Sequence, residues 1–292
     1  MINKLDIPSV TIIIPHYNLP ELLERCVESI PDSNIFQVII IDDNSSDLIV
    51  DFNNFPGQNR NNTEIIFNKC NKGAGHARNL GLEQSKGKWL LFADSDDFFE
   101  DNLIEKLKPF LDSPSDIVMF KANSVDSKTL LPSNRNENIN KQIDNVIYAG
   151  KDKKEAALEV HSPWCRLIKR NLIEKNHIKF DEVIASNDTM FTTKATILAN
   201  DIVFSDSKIY NVTYREGSLW DLRKTNSKNF FSRIEVSIRR NKYLKENGFK
   251  PDILIGFLKS AYQINIKTFL KTLFILSKEK IIFKDLKTLL IK

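Results

Sequence analysis

In the first hundred residues, unbroken apolar runs of strand length alternate with segments whose apolar positions recur every third or fourth residue. Val10-Thr-Ile-Ile-Ile14 and Phe36-Gln-Val-Ile-Ile-Ile41 carry almost no polar alternation, the mark of strands buried on both faces of a parallel sheet. Between them Leu22, Leu23, Cys26, Val27 and Ile30 form one helical stripe. Asn18 with Glu21 three residues on has the spacing of a capping box, and Pro20 suits a first helical turn. Strand, helix and strand in that order predict a βαβ unit with parallel strands and a right-handed crossover.

Residues 51–63, Asn-rich around Pro56 and Gly57, read as a loop, and residues 64–67 as a short strand. A turn with Gly73 and Gly75, which permit close backbone approach, opens a helix carrying Arg78, and a further strand starts at Trp89. Then follow an amphipathic helix over 101–111, a strand over 116–120, a polar loop over 121–145 rich in Asn and Ser, and closing strands over 201–204 and 208–214. From Phe230 the pattern is helical: Leu258, Tyr262, Ile266, Phe269, Leu270, Leu273 and Leu276 recur at helical spacing, as do Ile282, Leu286, Leu289 and Leu290. The expected class is α/β: a mixed, mainly parallel sheet flanked by helices, with a C-terminal helical extension. A catalytic domain is expected over 1–220, split near 120, and a helical region over 221–292.

Two predicted strands end in acid. Trp89-Leu-Leu-Phe92 runs into Asp94, Asp96 and Asp97, and the run ending at Ile41 meets Asp42 and Asp43. Three carboxylates within four residues repel one another, and burial adds desolvation, so they call for a cation or a shared proton. Hard oxygen ligands suit Mg²⁺ or Mn²⁺ with substrate phosphates completing the shell. A polar turn after a buried strand is the plainer alternative. In open α/β sheets ligands bind beyond the carboxyl ends of strands, and a carboxylate there accepts hydrogen bonds from a base or ribose; the alternative for Asp42 and Asp43 is a turn before the next helix.

Composition narrows the class. With 41% hydrophobic and 27% charged residues the chain is globular, and a net charge of +4 gives no case for nucleic acid. Cys26, Cys70 and Cys165 lack metal-site spacing and read as free thiols of a reducing compartment. Neither a signal peptide nor a membrane span is expected, which leads to a cytoplasmic assignment.

Residues 10–18, 39–47, 71–81 and 87–99 resemble, in this order and spacing, the nucleotide-sugar half of family 2 glycosyltransferases. The family pattern is a strand ending Pro-x-Tyr-Asn, then Asp-Asp-x-Ser-x-Asp, Asn-x-Gly-x-x-x-Ala-Arg-Asn-x-Gly and Asp-x-Asp-Asp. The resemblance implies a GT-A fold in which Asp94 and Asp96, flanking Ser95, hold donor ribose and a Mn²⁺ or Mg²⁺ ion, with Asp97 beside them. It sets Asp42 and Asp43 toward the base, Pro15, Tyr17 and Asn18 along the nucleotide pocket, and Arg78 toward the donor, a UDP-sugar. His16, inside the first motif, is the histidine expected nearest the donor.

A looser match covers the second half, where Pro163 and Trp164 precede Asn187 and Asp188. Glu is common in the family where Asn187 stands, so one carboxylate remains, and the resemblance makes Asp188 the catalytic base. An acceptor hydroxyl needs such a group to take its proton as it attacks. By residue type alone Ser186, Asn187 and Asp188 equally suit a helix N-cap. Trp164 is either a sugar platform or a core anchor; Trp164, Asn187 and Asp97 are the candidate acceptor contacts. Arg215 and Ser218 are candidates for a segment closing over the diphosphate, with a solvated turn as alternative.

The implied activity is inverting transfer of a hexosyl or N-acetylhexosaminyl group to a glycan or lipid-linked glycan in surface polysaccharide or lipo-oligosaccharide synthesis. Two other readings stay open: a GT-A protein that binds nucleotide sugar or glycan without turnover, which Asn187 favours, and a phosphatase with an Asp-x-Asp nucleophile, which Phe98 disfavours. Between residues 259 and 292 eight lysines face only Glu279 and Asp285, a net +6. Such a basic amphipathic tail suits peripheral contact with the inner face of a membrane, packing on the catalytic domain, or an oligomer contact.

Overall fold

The computed structural model describes residues 8–218, 226–282 and 285. The expected boundary at 220/221, the reading of the N-terminus, and the positions of Leu286, Leu289 and Leu290 lie outside the described residues. By compactness the chain forms two units: residues 1–182 with 191–215, and residues 183–190 with 216–292.

The first unit is built on one eight-stranded sheet in the order β3-β2-β1-β4-β7-β6-β8-β5. β1 (Val10–His16), β2 (Phe36–Asp42), β3 (Thr63–Phe67) and β4 (Trp89–Phe92) pair in parallel, which for β1 and β2 the buried runs predicted. β7 (Arg166–Lys169) enters antiparallel between β4 and β6 (Ile117–Asp126), and β8 (Ile202–Tyr214) pairs parallel with β6. The two-residue β5 (Phe98–Phe99) closes the edge antiparallel to β8. Six strands therefore run one way, and the ends of β1, β2, β4, β6 and β8 gather on one edge of the sheet. This is the mixed, mainly parallel sheet expected.

Helices α1 (Pro20–Glu28) and α2 (Ala74–Gln84) are the crossovers of the parallel half. A side chain at Gly81 would bring its Cβ within 2.5 Å of Ile13 Cγ2, so this glycine, more than Gly73, lets α2 lie close on β1. The capping box fails: the N-cap position is Leu19, and Asn18, at φ 53°, spends its Oδ1 on the Ser46 N–H at 2.8 Å. The helix of 101–111 narrows to α3 (Leu103–Leu107) and a 3₁₀ turn over Lys108–Phe110.

The polar stretch 121–145 is not a loop. β6 continues to Asp126, and α4 (Glu137–Ala149) follows, burying Ile139 and Ile143 one turn apart. Asn140 both accepts from the Ala122 N–H at 3.0 Å and donates to its carbonyl at 2.9 Å, so the asparagines that suggested a loop fasten the helix to β6. The remaining helices of this unit are α5 (Lys153–Leu158) and α6 (Arg170–Lys175), and α7 (Thr189–Leu198) joins the two units by sequence.

In the second unit the expected helical tail divides into α8 (Ser227–Glu246), α9 (Gly256–Ile264) and α10 (Ile266–Lys278). Asn265, whose side chain accepts the Thr268 N–H at 2.8 Å, separates the last two. Phe230, Ile234 and Ala261 form one small core, and Leu254, Leu276 and Ile281 another. Among the described residues no helix is long and apolar enough to cross a membrane.

Candidate active site

After β4 the chain reverses in a β-turn closed by the Asp97 N–H on the Asp94 carbonyl at 3.0 Å. Side chains fix this turn from three directions. The Asp94 N–H donates to the Tyr210 hydroxyl at 2.9 Å, while Arg25 Nη2 and Thr213 Oγ1 both donate to the Asp96 carbonyl at 2.8 Å. Arg25 also donates to the Ser127 carbonyl at 2.8 Å and lies over the Phe98 ring. Ser95 is buried between the two acids.

The turn brings oxygen atoms of Asp94, Asp96 and Asp97 within 4.8 Å of one another. Arg78 Nη2, from the first turn and a half of α2, meets Asp94 Oδ1 at 2.5 Å, and Arg215 Nε meets Asp96 Oδ2 at 3.3 Å. Asp97 is 1% exposed. Its Oδ1 accepts the Thr213 N–H at 2.6 Å, and its Oδ2 is buried with no hydrogen-bond partner. Burial first, then Asp96 and Asp94, push the Asp97 carboxyl well above the usual carboxylate range. Burial and Asp94 raise Asp96 as well, against Arg215 and Arg135.

An all-oxygen donor set with one buried oxygen lacking a donor fits a hard divalent cation, which would supply the positive charge that this buried acid lacks. Asp94, Asp96 and Asp97 are the residues that would hold it. The acceptor contact expected of Asp97 does not fit, because its side chain is sealed beneath the turn.

The end of β2 is organised by its own acids. Asp42 Oδ2 accepts from His16 Nδ1 at 2.8 Å and from Ser45 Oγ, and Asp42 Oδ1 accepts the Ser45 N–H at 2.9 Å. His16 Nε2 accepts the Leu19 N–H at 3.0 Å, so Nδ1 is the ring nitrogen that donates to Asp42. His16 is therefore a buried support of the motif and does not reach the donor side. Burial opposes ionisation of Asp42, but the hydrogen bonds from His16 and Ser45 outweigh it and hold the carboxyl below its usual range. Asp43 accepts from the Lys72 and Gly73 N–H groups, the latter at 2.6 Å, and from Asn68 Nδ2 at 3.0 Å. Gly73 sits at φ 88°, a conformation that favours glycine, and so presents its N–H to this carboxylate at the start of α2.

Pro15 is buried in β1 beside Ile41, and Tyr17 is exposed just past the strand end. Asn18 joins the two motif loops, its N–H donating to Ser45 Oγ at 2.8 Å. Trp164 is 7% exposed and stacks on Tyr210 with ring centroids 5.5 Å apart, the core-anchor position of its two readings. His76 pairs with Glu182 at 3.1 Å.

Asn187 and Asp188 belong to the second unit. Asn187 is buried and Asp188 half-buried directly before α7, after Ser186 at a left-handed φ of 59°. Ser232 of α8 holds this loop, donating to the Ala185 carbonyl at 3.0 Å and accepting its N–H at 3.3 Å. Ser218 is buried. Arg25, Tyr210, Thr213 and Ser232 carry no motif, and their distance in sequence from the loops they hold leaves no local signal.

Comparison with known proteins agrees with this architecture. Residues 11–176, more than half of the chain, match the family model described as Glycosyl transferase family 2. A poly(ribitol-phosphate) beta-glucosyltransferase of Bacillus spizizenii is 27% identical over 77% of this chain and 36% of its own length. The poly(ribitol-phosphate) beta-N-acetylglucosaminyltransferase TarS of Staphylococcus aureus is 26% identical over 87% of this chain and 44% of its own length. The chain thus spans less than half of these relatives. The crystal structure of S. aureus TarS 1-349 in complex with UDP-GlcNAc matches 89% of this chain and 74% of that one with a TM-score of 0.64 and 23% identity. A mannosyltransferase from Pyrobaculum calidifontis in complex with GDP-Man and Mn²⁺ matches 98% of this chain and 81% of its own with a TM-score of 0.58 and 14% identity. The fold is GT-A.

Proposed function

The chain belongs to glycosyl transferase family 2, and from that membership we propose that it moves a hexose or N-acetylhexosamine from a UDP-sugar to a glycan or lipid-linked glycan, inverting the anomeric carbon. The observation that carries this reading is the acid triplet Asp94, Asp96 and Asp97 at the carboxyl edge of the parallel strands, with two arginines in contact with it. The UDP-GlcNAc of the TarS structure supports the choice of donor, and the Mn²⁺ of the mannosyltransferase structure supports the metal.

Asp94 and Asp96, flanking Ser95, are assigned to donor ribose and to Mn²⁺ or Mg²⁺. A divalent ion held there would supply positive charge to a departing diphosphate. Arg78 and Arg215 offer guanidinium donors suited to phosphate oxygens. Pro15, Tyr17 and Asn18 line the nucleotide pocket, with the exposed Tyr17 ring offered to the base, and Asp42 and Asp43 shape the loops around it.

Asp188 is the base. As the acceptor oxygen bonds to the anomeric carbon, the hydroxyl proton passes to the Asp188 carboxylate, and the electron pair of the breaking bond leaves with the diphosphate. Trp164 and Asn187 are assigned to the acceptor side as supports, both being buried. The setting is cytoplasmic synthesis of a surface polysaccharide or lipo-oligosaccharide, with no nucleic-acid partner.

Thermal unfolding with a panel of nucleotide sugars and Mn²⁺ tests the donor. A UDP-sugar is expected to raise Tm in wild type and not in Asp96→Asn; a panel without any shift would overturn the reading.

A further inference from the structure

α10 leaves one row of large apolar side chains uncovered. The positions buried against its neighbours are Thr268, Thr272 and Leu276, each one turn after the last. The outward row is apolar: Tyr262 at the end of α9 is 69% exposed, Ile266 57%, Leu270 57% and Phe274 68%. Ile266, Leu270 and Phe274 recur every four residues along α10, and Tyr262 stands near the end of α9, before the break at Asn265. A helix with 100° between residues sets Lys267, Lys271 and Lys278 in a second row directly beside this ridge. All three are exposed, and Lys271 also lies over the Phe231 ring at 4.2 Å.

Four large apolar side chains left exposed on two adjoining helices mark a surface that another body covers. The lysine row selects which. A second copy of this chain would bring the same lysines against their equivalents, a like-charge contact that opposes pairing. Over α9 and α10 the charged residues are all lysines, so the face complements an anionic partner. Neither helix is long and apolar enough to span a bilayer. An apolar ridge bordered by lysines suits a helix lying in the headgroup boundary, with ring and aliphatic groups in the acyl layer and ammonium groups among the phosphates. Tyr262, with an apolar ring and a polar tip, is a side chain enriched at that depth.

We propose that the ridge Tyr262, Ile266, Leu270 and Phe274, with Lys267, Lys271 and Lys278, is a docking surface for an anionic lipid bilayer. Neither helix carries a residue of the transfer site, so vesicle binding and donor turnover fail independently. The test is flotation of the full chain with vesicles of phosphatidylcholine alone and of phosphatidylcholine with phosphatidylglycerol, at low and high salt. Binding is expected to the anionic vesicles, weakened by salt, and lowered at least about tenfold by Lys267→Glu with Lys271→Glu and Lys278→Glu, or by Leu270→Ser with Phe274→Ser.

Phe274→Trp gives a second readout that needs no disruption of the surface: its emission should move to the blue on adding anionic vesicles. Full-length protein that ignores anionic vesicles at low salt would overturn the proposal. So would binding unaffected by either set of changes. Concentration-dependent self-association lost in Leu270→Ser with Phe274→Ser would assign the ridge to a second copy instead.

Discussion

Arg78 on α2 holds Asp94 Oδ1 at 2.5 Å, joining the glycine-rich turn after β3 to the acidic turn after β4. The guanidinium is nearly buried and lies over the Phe180 ring at 5.4 Å from its centroid. Its position is thus set by packing before any donor arrives.

Replacing Arg78 with Ala leaves Asp94 beside Asp96 and Asp97 without this cation. Asp94 is about a third exposed, so solvent softens the effect. A stability loss of about 2 kcal/mol is expected at neutral pH, measured by urea unfolding, together with at least about tenfold weaker donor binding by calorimetry. Arg78→Lys should recover part of the stability and less of the binding, since an ammonium lacks the planar fork.

Asp97 makes stability depend on pH in an identifiable direction. Its folded carboxyl titrates well above the unfolded one because of burial and of Asp96 and Asp94. The folded state then holds a proton that the unfolded state releases, so this group's contribution falls as pH rises from about 4 toward the folded value. In chelator, the wild-type Tm minus that of Asp97→Asn should decline over that window. Mn²⁺ should raise the wild-type Tm more at the upper end of the window, where the acids are open to metal, and raise Asp97→Asn less.

Asp42 works the opposite way. Hydrogen bonds from His16 and Ser45 outweigh burial and depress its folded pKa, so its stabilisation is present above about pH 4, the unfolded value, and lost as pH falls through the folded value. Asp42→Asn turns an acceptor toward three donor groups, His16 Nδ1 and the Ser45 hydroxyl and N–H, into a mixed group. It should cost about 1–3 kcal/mol at pH 7, with the gap to wild type closing in acid; equal denaturation midpoints at pH 7 would remove this role.

Much of this architecture could be read from the chain. β1, β2 and β4 announced themselves because burial on both faces demands unbroken apolar runs, and the acids at the ends of β2 and β4 stood out by charge; β3, half-buried at the edge of the sheet, showed only as a short run. Asn18 misled for a physical reason: its side chain has one acceptor, and the Ser46 N–H takes it before the helix can. In 121–145 the asparagines hid α4, although Ile139 and Ile143 held the helical spacing. The supports of the acidic turn were beyond local reading. Tyr210 and Thr213 act on residues 116 and 117 positions away, through a strand pairing that no short window contains.

The proposed base gives a prediction separable from binding. Asp188→Asn should lower sugar transfer by about 10²–10⁴-fold while calorimetry shows donor affinity within about threefold of wild type. Ser232→Ala, which loosens the Asp188 loop through Ala185, should lower kcat mildly and leave the donor KM in place. Undiminished transfer by Asp188→Asn would take the base role from it.

The most direct measurement is release of nucleoside diphosphate from a UDP-sugar, followed with Mn²⁺ and then with excess chelator, in wild type and Asp96→Asn. Release that requires the metal and disappears in Asp96→Asn is the expected result. Equal release in chelator, or none from any nucleotide sugar when the metal is present, would contradict an acid triplet that holds a cation and a departing diphosphate.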